Sequence, residues 1–510
     1  MSKNALICSN RVGWDGNPSI AMRHGKLGLS SQPTSWPTLA TLALCIALAG
    51  CATPGGLHPT GKTVDARSLK SARSLAGVPL SATAWPSQDW WVSFGDPQLS
   101  TLIDEALKHN PSLDEAEARA RQAQAVADSA DAARLPAADL EAGAQGTRLS
   151  LKDPIYPPYV LGHFAWGKSV TANFSWDLDL WGGKRDAWEA ALGRSRAVEI
   201  EAYAARIQLS VNVARAYVQL GYAFAQRDVA DGELQRASQT LALTRRLVAG
   251  GLGTSQQEAF ADSQAASAEQ QKAQADRGID AARSSLSVLL GQGPDRGLSI
   301  ARPHLLDPGL VALPDQLQVD LLGRRADLVA ARWQVEAASK DIKAAKTQFL
   351  PNISLSAMAG FVAVGGSSNV FQLPARTYSV GPALSLPIFD GGRLRANLAG
   401  ADARYDQAVA HYNGLLIGAV NEVSDLVSAL ASVRMQIALE QRAKQDAEKS
   451  WRDALSAYKG GVSGPLTPLA SRQQLLLADQ RLALLQSQQA DLSIRLIDAL
   501  GGGYAATVTR

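Results

Sequence analysis

Ser169-Val170-Thr171-Ala172-Asn173-Phe174-Ser175-Trp176-Asp177-Leu178-Asp179-Leu180-Trp181-Gly182-Gly183 is the stretch on which the reading of the chain turns. From Val170 to Leu180 every second residue is apolar, and the residues between are Thr, Asn, Ser or Asp. A period of two is that of a strand with one apolar face and one polar face. Trp181-Gly182-Gly183 breaks it. From 184 to 249 an alanine-rich, proline-free segment follows, with apolar residues three or four apart. That spacing predicts a helix, and at about 1.5 Å per residue it runs on the order of 100 Å.

The helix carries two apolar seams. Ile200, Tyr203, Ile207, Val211, Ala214 and Val218 form one, and Leu209, Val213, Ala216, Leu220 and Ala223 the other. At roughly 100° per residue they lie on nearly opposite sides, with Gln208, Asn212, Arg215 and Gln219 between them. Two seams mean two neighbours and a wet face between. A helix in the wall of a cylinder has that environment, and so does one in an antiparallel bundle.

The pattern then repeats. Val380, Pro382, Leu384, Leu386 and Ile388 alternate with small or polar residues, Asp390-Gly391-Gly392 breaks the run, and 393–459 is again a long proline-free stretch. Leu135-Pro136 corresponds to Leu350-Pro351, and Gly250-Gly251-Leu252 to Gly460-Gly461-Val462. A duplication with a spacing of about 210 residues therefore organises the chain. The first repeat spans 96–300: helices at 98–109 and 111–134, strands at 138–150 and 168–180, a prolyl loop at 151–158, the long helix 184–249 and a return helix 255–290. A Gly/Pro linker at 291–314 leads into the second repeat, 301–510. There the pattern predicts a helix at 316–348, strands at 352–363 and 377–389, a loop at 364–374, the long helix 393–459 and a return helix at 466–500.

The net charge of +3 over 510 residues suggests neither nucleic acid nor an acidic partner. No stretch reads as the 18 to 20 apolar residues of a spanning helix, so a membrane crossing would have to be a closed barrel. Near the N-terminus, Arg23, His24 and Lys26 precede an apolar run at 39–48 that ends in Leu48-Ala49-Gly50-Cys51. The layout is that of a secretory signal at 1–50. Translation starting at Met1 and at Met22 are both compatible with it. Cys8 and Cys45 lie upstream of Cys51, so the mature chain has no second thiol for a disulfide or metal site. Residues 51–95 read as a tether that becomes ordered from Trp85.

These motifs together resemble the TolC-type outer-membrane efflux proteins, in particular their NodT-like lipoprotein branch. The resemblance rests on Trp90-Trp91 with Phe94-Gly95-Asp96-Pro97-Gln98-Leu99, on Asp177 to Gly183, on Leu322-Gly323-Arg324-Arg325-Ala326-Asp327-Leu328, and on Leu386-Pro387-Ile388-Phe389-Asp390-Gly391-Gly392. It covers Trp85 to Leu500, with Ala326 standing where the family usually has proline. It implies a mainly α fold with a β-barrel part. Three chains would share a 12-stranded transmembrane barrel, continued by a periplasmic helical barrel. Phe174, Trp176 and Leu178 would face lipid, and Asn173, Ser175, Asp177 and Asp179 a water-filled lumen.

Leu48 to Cys51 is similar to the bacterial lipobox, which implies a lipid on Cys51; a plain signal peptide that happens to contain cysteine is the alternative. Ala52 at the next position implies sorting to the outer membrane. The resemblance also implies an exit duct of a tripartite efflux system, passively passing drugs or toxic compounds. Its partners would be an adaptor of the membrane-fusion type and an inner-membrane pump of the resistance-nodulation-division or major-facilitator type. The adaptor would meet Gly250, Gly251, Leu252, Gly460, Gly461 and Val462. The closed constriction would involve Tyr458 and Leu466. Thr467, Ala470, Gln256 and Gln257 stand where acidic or corresponding first-repeat residues are expected, which implies a closure made by packing and neutral hydrogen bonds.

Other chemistry finds little support. His58, His109, His163, His304 and His411 have no His or Cys partner at ligand spacing, and Gly250 to Gly253 lacks the Lys-Ser/Thr of a phosphate loop. The expectation is no enzyme, and no cofactor beyond the lipid. Two further readings remain: a periplasmic coiled-coil adaptor or structural lipoprotein, and a type I secretion duct.

Overall fold

In the computed structural model the described residues are 53–70, 73, 75, 85–148, 150–152, 161–304, 317–364 and 370–505. They belong to a compact unit that runs from Ala52. The signal segment, Cys51, most of the predicted loop at 151–158 and residues 365–369 of the one at 364–374 lie outside them.

The helices α1 (Pro97–His109) and α2 (Pro111–Ala132) lead into strands β1 (Ala137–Arg148) and β2 (Phe164–Leu178). Next come the long helix α3 (Gly183–Ala249), its return α4 (Ser255–Leu289) and the short α5 (Pro294–Leu298). The second repeat has α6 (Leu317–Arg324), α7 (Ala326–Thr347), β3 (Asn352–Val364), β4 (Arg376–Ser385), α8 (Arg393–Lys459) and α9 (Leu466–Ala499). Both long helices are 67 residues.

Several bounds differ from the sequence reading, each for a local reason. β2 stops at Leu178, not 180, because the Asp179 carboxylate turns to the next helix and accepts from the Lys184 and Arg185 N–H groups at 3.0 and 2.8 Å. β4 stops at Ser385, so Leu386 and Ile388 are not strand residues; Pro387 has no N–H to continue a ladder. The helix expected at 316–348 is two, broken at Arg325, whose backbone is extended (φ −101°, ψ 118°) while its guanidinium is held by Asp327 and Glu422. The linker contains α5. The helix α8 also has an 18-residue window apolar enough to cross a membrane by length and composition, contrary to the expectation that none exists; 39% of that window is buried in the chain. Apolar seams on a helix at the rim of the structure raise its hydropathy without making it a span.

All four strands form one antiparallel sheet in the order β1-β2-β3-β4. Because β2 pairs with β3 from Gly167↔Val364 to Leu178↔Ile353, the repeats share a sheet and are not two separate bodies. Below it, the first half of α3 lies between α2 and α7 and its second half between α4 and α9. Ser195 bonds Gln124 of α2 and Gly193 lies on Ala337 of α7. Further along, Arg227 pairs with Asp276 of α4 at 3.0 Å and Arg215 with Asp491 of α9 at 2.6 Å. Those are the two neighbours that the seams require. Val211, Ala214 and Val218 are buried on one side and Leu209, Val213, Leu220 and Ala223 on the other, with Gln208, Arg215 and Gln219 exposed between them. Tyr203 is the exception in its seam, being 52% exposed.

The packed centre lies at mid-length. There α1 presents Leu99, Leu102, Ile103 and Ala106 to Leu209, Val213, Tyr217 and Leu286, all buried. Burying each large side chain contributes about 1.5–3 kcal/mol. Asp96 starts α1 by accepting from the N–H groups of Gln98 and Leu99 (2.8 and 3.0 Å), and its other oxygen accepts from the Tyr217 hydroxyl at 2.8 Å. Gln98 in turn donates to Tyr217 and to the Ala301 carbonyl. The motif Phe94 to Leu99 thus bolts the N-terminal appendage to α3. Burial, then the Asp96 hydrogen bond, pushes the Tyr217 phenol well above its usual range.

Candidate functional site: the sheet faces and the helical tips

The register sorts the sheet into two faces. Phe174 stands opposite Ala138 and Ala357, Ala172 opposite Leu140 and Ala359, and Trp176 opposite Leu355. Leu355, Ala357 and Ala359 continue to Pro382, Val380 and Tyr378. One face is therefore apolar across all four strands. The other carries Asp139, Glu141, Thr171, Asn173, Ser175, Ser354 and Ser379, in the alternate register. The apolar side chains are not covered by the chain: Leu140 is 74% exposed and Val380 76%. A face this large and this bare is an interaction surface. The outer ladders of β1 and β4 have no partner strand among the described residues.

The strand-to-helix junctions are tied by hydrogen bonds. Trp176 donates to the Arg134 carbonyl at 3.1 Å and Trp181 to that of Pro351 at 2.7 Å. Lys184 donates to Asp177 and to the Ala133 carbonyl, both at 2.9 Å. In the second repeat Asp390 does what Asp179 does in the first, accepting from the N–H groups of Gly392 and Leu394 at 3.0 and 2.8 Å. Asp177 and Asp179 were expected to line a lumen. Asp177 belongs to the polar face but is neutralised by Lys184, and Asp179 lies outside the strand as a helix cap.

At the far end of the rods, the tips are built alike. The Gly251 N–H bonds the Val248 carbonyl and the Leu252 N–H that of Leu247, while Gly461 and Val462 repeat this with Tyr458 and Ala457, all at 2.8–3.0 Å. This paired closure needs a left-handed residue after the cap, and Gly251 and Gly461 supply it, both at φ +72°. Gly250 and Gly460 have φ near −82°, a conformation open to any residue. Leu252 and Val462 are 80% and 84% exposed. The two hairpins pack on each other between the centre and the tips, where Leu476 of α9 lies against Gly232 of α3.

Of the residues expected at the constriction, Tyr458 and Leu466 are 44% and 43% exposed, and Thr467, Ala470 and Gln256 are exposed beside the tips. Gln257 is exposed there as well and is tied within its own turn. Its amide oxygen accepts from the Thr254 N–H (3.0 Å) while its own N–H donates to the Thr254 hydroxyl (3.2 Å), a reciprocal cap that starts α4. Sequence reasoning missed Arg245, which bridges the first tip to Glu258 and Asp262 at 3.3 and 3.0 Å. It also missed Arg472, stacked over Trp451 at 4.7 Å beside the second tip. Opposite charges equidistant from a glycine turn are the signal that would have found the first.

At mid-length, Arg325 pairs with Asp327 (2.7 Å) and Glu422 (2.9 Å) and donates to the Ala499 carbonyl. Burial opposes its charge, but these carboxylates hold its pKa above the usual arginine range. Burial pushes the neighbouring Asp498 up to about 6. No group of three or more His, Cys, Asp or Glu suited to a metal ion occurs among the described residues.

Comparison with known proteins agrees with this geometry. The profile of the outer membrane efflux protein family matches twice, over residues 102–292 and 317–502. The chain is 37% identical over 368 residues to the fusaric acid resistance protein FusA of Burkholderia cepacia, covering 72% of this chain and 69% of that one. It is 31% identical over 487 residues to the putative multidrug resistance outer membrane protein MdtQ of Shigella flexneri, covering 93% and 99%. Among solved structures, the outer membrane protein VceC of Vibrio cholerae superposes with a TM-score of 0.72 at 37% identity, over 82% of this chain and all of that one. The outer-membrane channel OprN superposes at 0.74 and 26%, over 89% and 99%. With the double profile match, the shared rods and the segregated sheet, the chain belongs to the outer membrane efflux protein family.

Proposed function

We propose that this chain is the outer-membrane exit duct of a tripartite efflux system, through which small molecules pass passively from the periplasm to the outside. The observation that carries the reading is the four-stranded sheet, mainly apolar on one face, mainly polar on the other, and with both edges unpaired among the described residues. In lipid an unpaired strand edge costs several kcal/mol per unsatisfied group, so such a sheet must close into a ring. Three copies supply twelve strands, and the bare apolar face then meets lipid while the polar face encloses water. The relatives named for multidrug resistance favour drug-like cargo over polypeptides.

Three finer parts of the proposal rest on particular contacts. A lipid on Cys51 fits the course of the tether. Arg395, the third residue of α8, donates to the Thr53 and Gly55 carbonyls. Asp406 then accepts from Thr60 and Gly61, and Asn413 binds Lys62 and Val64. Thr53, two residues after Cys51 in the sequence, is thereby held beside the start of α8. Docking of a periplasmic adaptor and its inner-membrane pump at Gly250, Gly251, Leu252, Gly460, Gly461 and Val462 fits their position at the bare ends of the rods. Closure of the resting channel by Tyr458, Leu466, Thr467, Ala470, Gln256 and Gln257 fits their exposure and lack of charge.

The test is single-channel conductance of the purified protein in planar bilayers at low and high salt. The wild type should form a small pore whose closure changes little with salt, and Leu466→Ala should raise the conductance several-fold. No pore from the wild type would overturn the duct. An unchanged Leu466→Ala pore would overturn the constriction alone.

A further inference from the structure

The four strands hold three cations and three acids, and the register separates them completely. Asp139, Glu141 and Asp177 all belong to the polar face, whereas Arg148, Lys168 and Arg376 all share the apolar face. Cations are costly on a face that meets lipid tails unless they sit at the level of the headgroups. Along the sheet they all fall in the half remote from the long helices: Arg148 closes β1 opposite Phe164, Lys168 lies four residues further along β2, and Arg376, which opens β4, is level with Val170 through Phe361. Phe164 and Trp166 are 64% and 51% exposed, with rings edge to face at 5.9 Å. The pattern is a band of cations and aromatic rings on the apolar face, in the half of the sheet away from the long helices.

From this geometry we infer that the Arg148, Lys168 and Arg376 band is a docking surface for the phosphate groups of the outer-leaflet glycolipid, lipid A. The inference rests on the proposed barrel, with the apolar face toward lipid. The rods mark the periplasmic side, so the cationic half lies in the leaflet facing outward, which in an outer membrane is built of a phosphorylated glucosamine glycolipid. Guanidinium groups bind phosphate by paired N–H donation, and the aromatic rings supply the interfacial surface beside them. The other strand ends, at the periplasmic leaflet, have no cation on this face.

The full-length protein purified in dodecyl maltoside is titrated with bis-phosphorylated lipid A, with the same lipid stripped of both phosphates, and with phosphatidylglycerol, and bound lipid is counted by native mass spectrometry. The wild type should retain the bis-phosphorylated form roughly tenfold more tightly than the stripped form, and Arg148→Gln with Arg376→Gln should abolish that preference. Equal retention of the two lipid A forms by the wild type, or an unchanged preference in the double variant, overturns the inference. Phosphatidylglycerol held as tightly as lipid A overturns the glycolipid assignment. If the variant does not fold, the wild-type comparison still decides. Bilayer conductance of the same preparation separates the two layers of the argument: a conducting protein without phosphate preference sinks only the band, and one that neither inserts nor conducts sinks the barrel.

Discussion

Asp498 shows how one side chain sets a condition on the fold. Burial raises its pKa to about 6; Arg325 opposes the shift and Glu422 and Asp327 add to it. The folded state therefore binds this proton more tightly than the unfolded chain does, so stability falls as pH rises from the ordinary carboxylate value near 4 to about 6, and the full cost persists above. Taking the protein from pH 7 to pH 5 should recover on the order of 1 kcal/mol. Thermal unfolding of the solubilised protein at both pH values checks this: the wild type should gain at pH 5, and Asp498→Asn should be more stable at pH 7 and show less of the gain. Asp402 shifts in the same direction for the same first cause, burial, and neither of its oxygens has a hydrogen-bond partner among the described residues. The comparison of wild type with Asp498→Asn isolates the Asp498 share. None of this was legible in the sequence, since the charged neighbours of Asp498 come from α3, from the break at Arg325, from α7 and from α8, all more than seventy residues away.

At the scale of elements, the strands and rods were readable because their periods, two and about 3.6, differ and because glycine pairs mark each change. The misreadings came where one residue type serves two ends. Asp179 continues the alternation of β2 and also caps α3, and the tertiary bond won. Arg325 reads as a good helix former, yet its pairing with Asp327 and Glu422 draws the backbone out of the helix. The glycine tips allow a sharper test of element against partner. Gly251→Ala should lose on the order of 1 kcal/mol, because its φ of +72° is strained for any side chain. Gly250→Ala should leave stability unchanged or slightly raised, since its φ is ordinary and an added Cβ stays 3.4 Å from the Arg246 carbonyl. Should Gly250 serve close approach of an adaptor, Gly250→Ala alone will weaken adaptor pull-down while its unfolding curve matches the wild type.

For the whole molecule, the faces of the sheet were anticipated from single strands, but their agreement across four strands comes only with the register. In the proposed barrel the register also gives the inner wall a charge: Lys184 offsets Asp177, but no cation among the strand residues shares the face of Asp139 and Glu141. A water-filled ring lined this way favours cations. Under a salt gradient the open channel should show a cation-selective reversal potential, and Asp139→Asn with Glu141→Gln should cut the cation-to-anion permeability ratio about twofold or more. An unshifted reversal potential would place the filter elsewhere. The free margins of β1 and β4 also bear on inheritance. In the proposed three-chain barrel, a wall that is finished only by sister molecules makes every assembly hostage to its weakest member. A cell expressing equal amounts of a normal and a margin-damaged copy would keep about one sound assembly in eight, so such an allele would act dominantly despite an intact second gene.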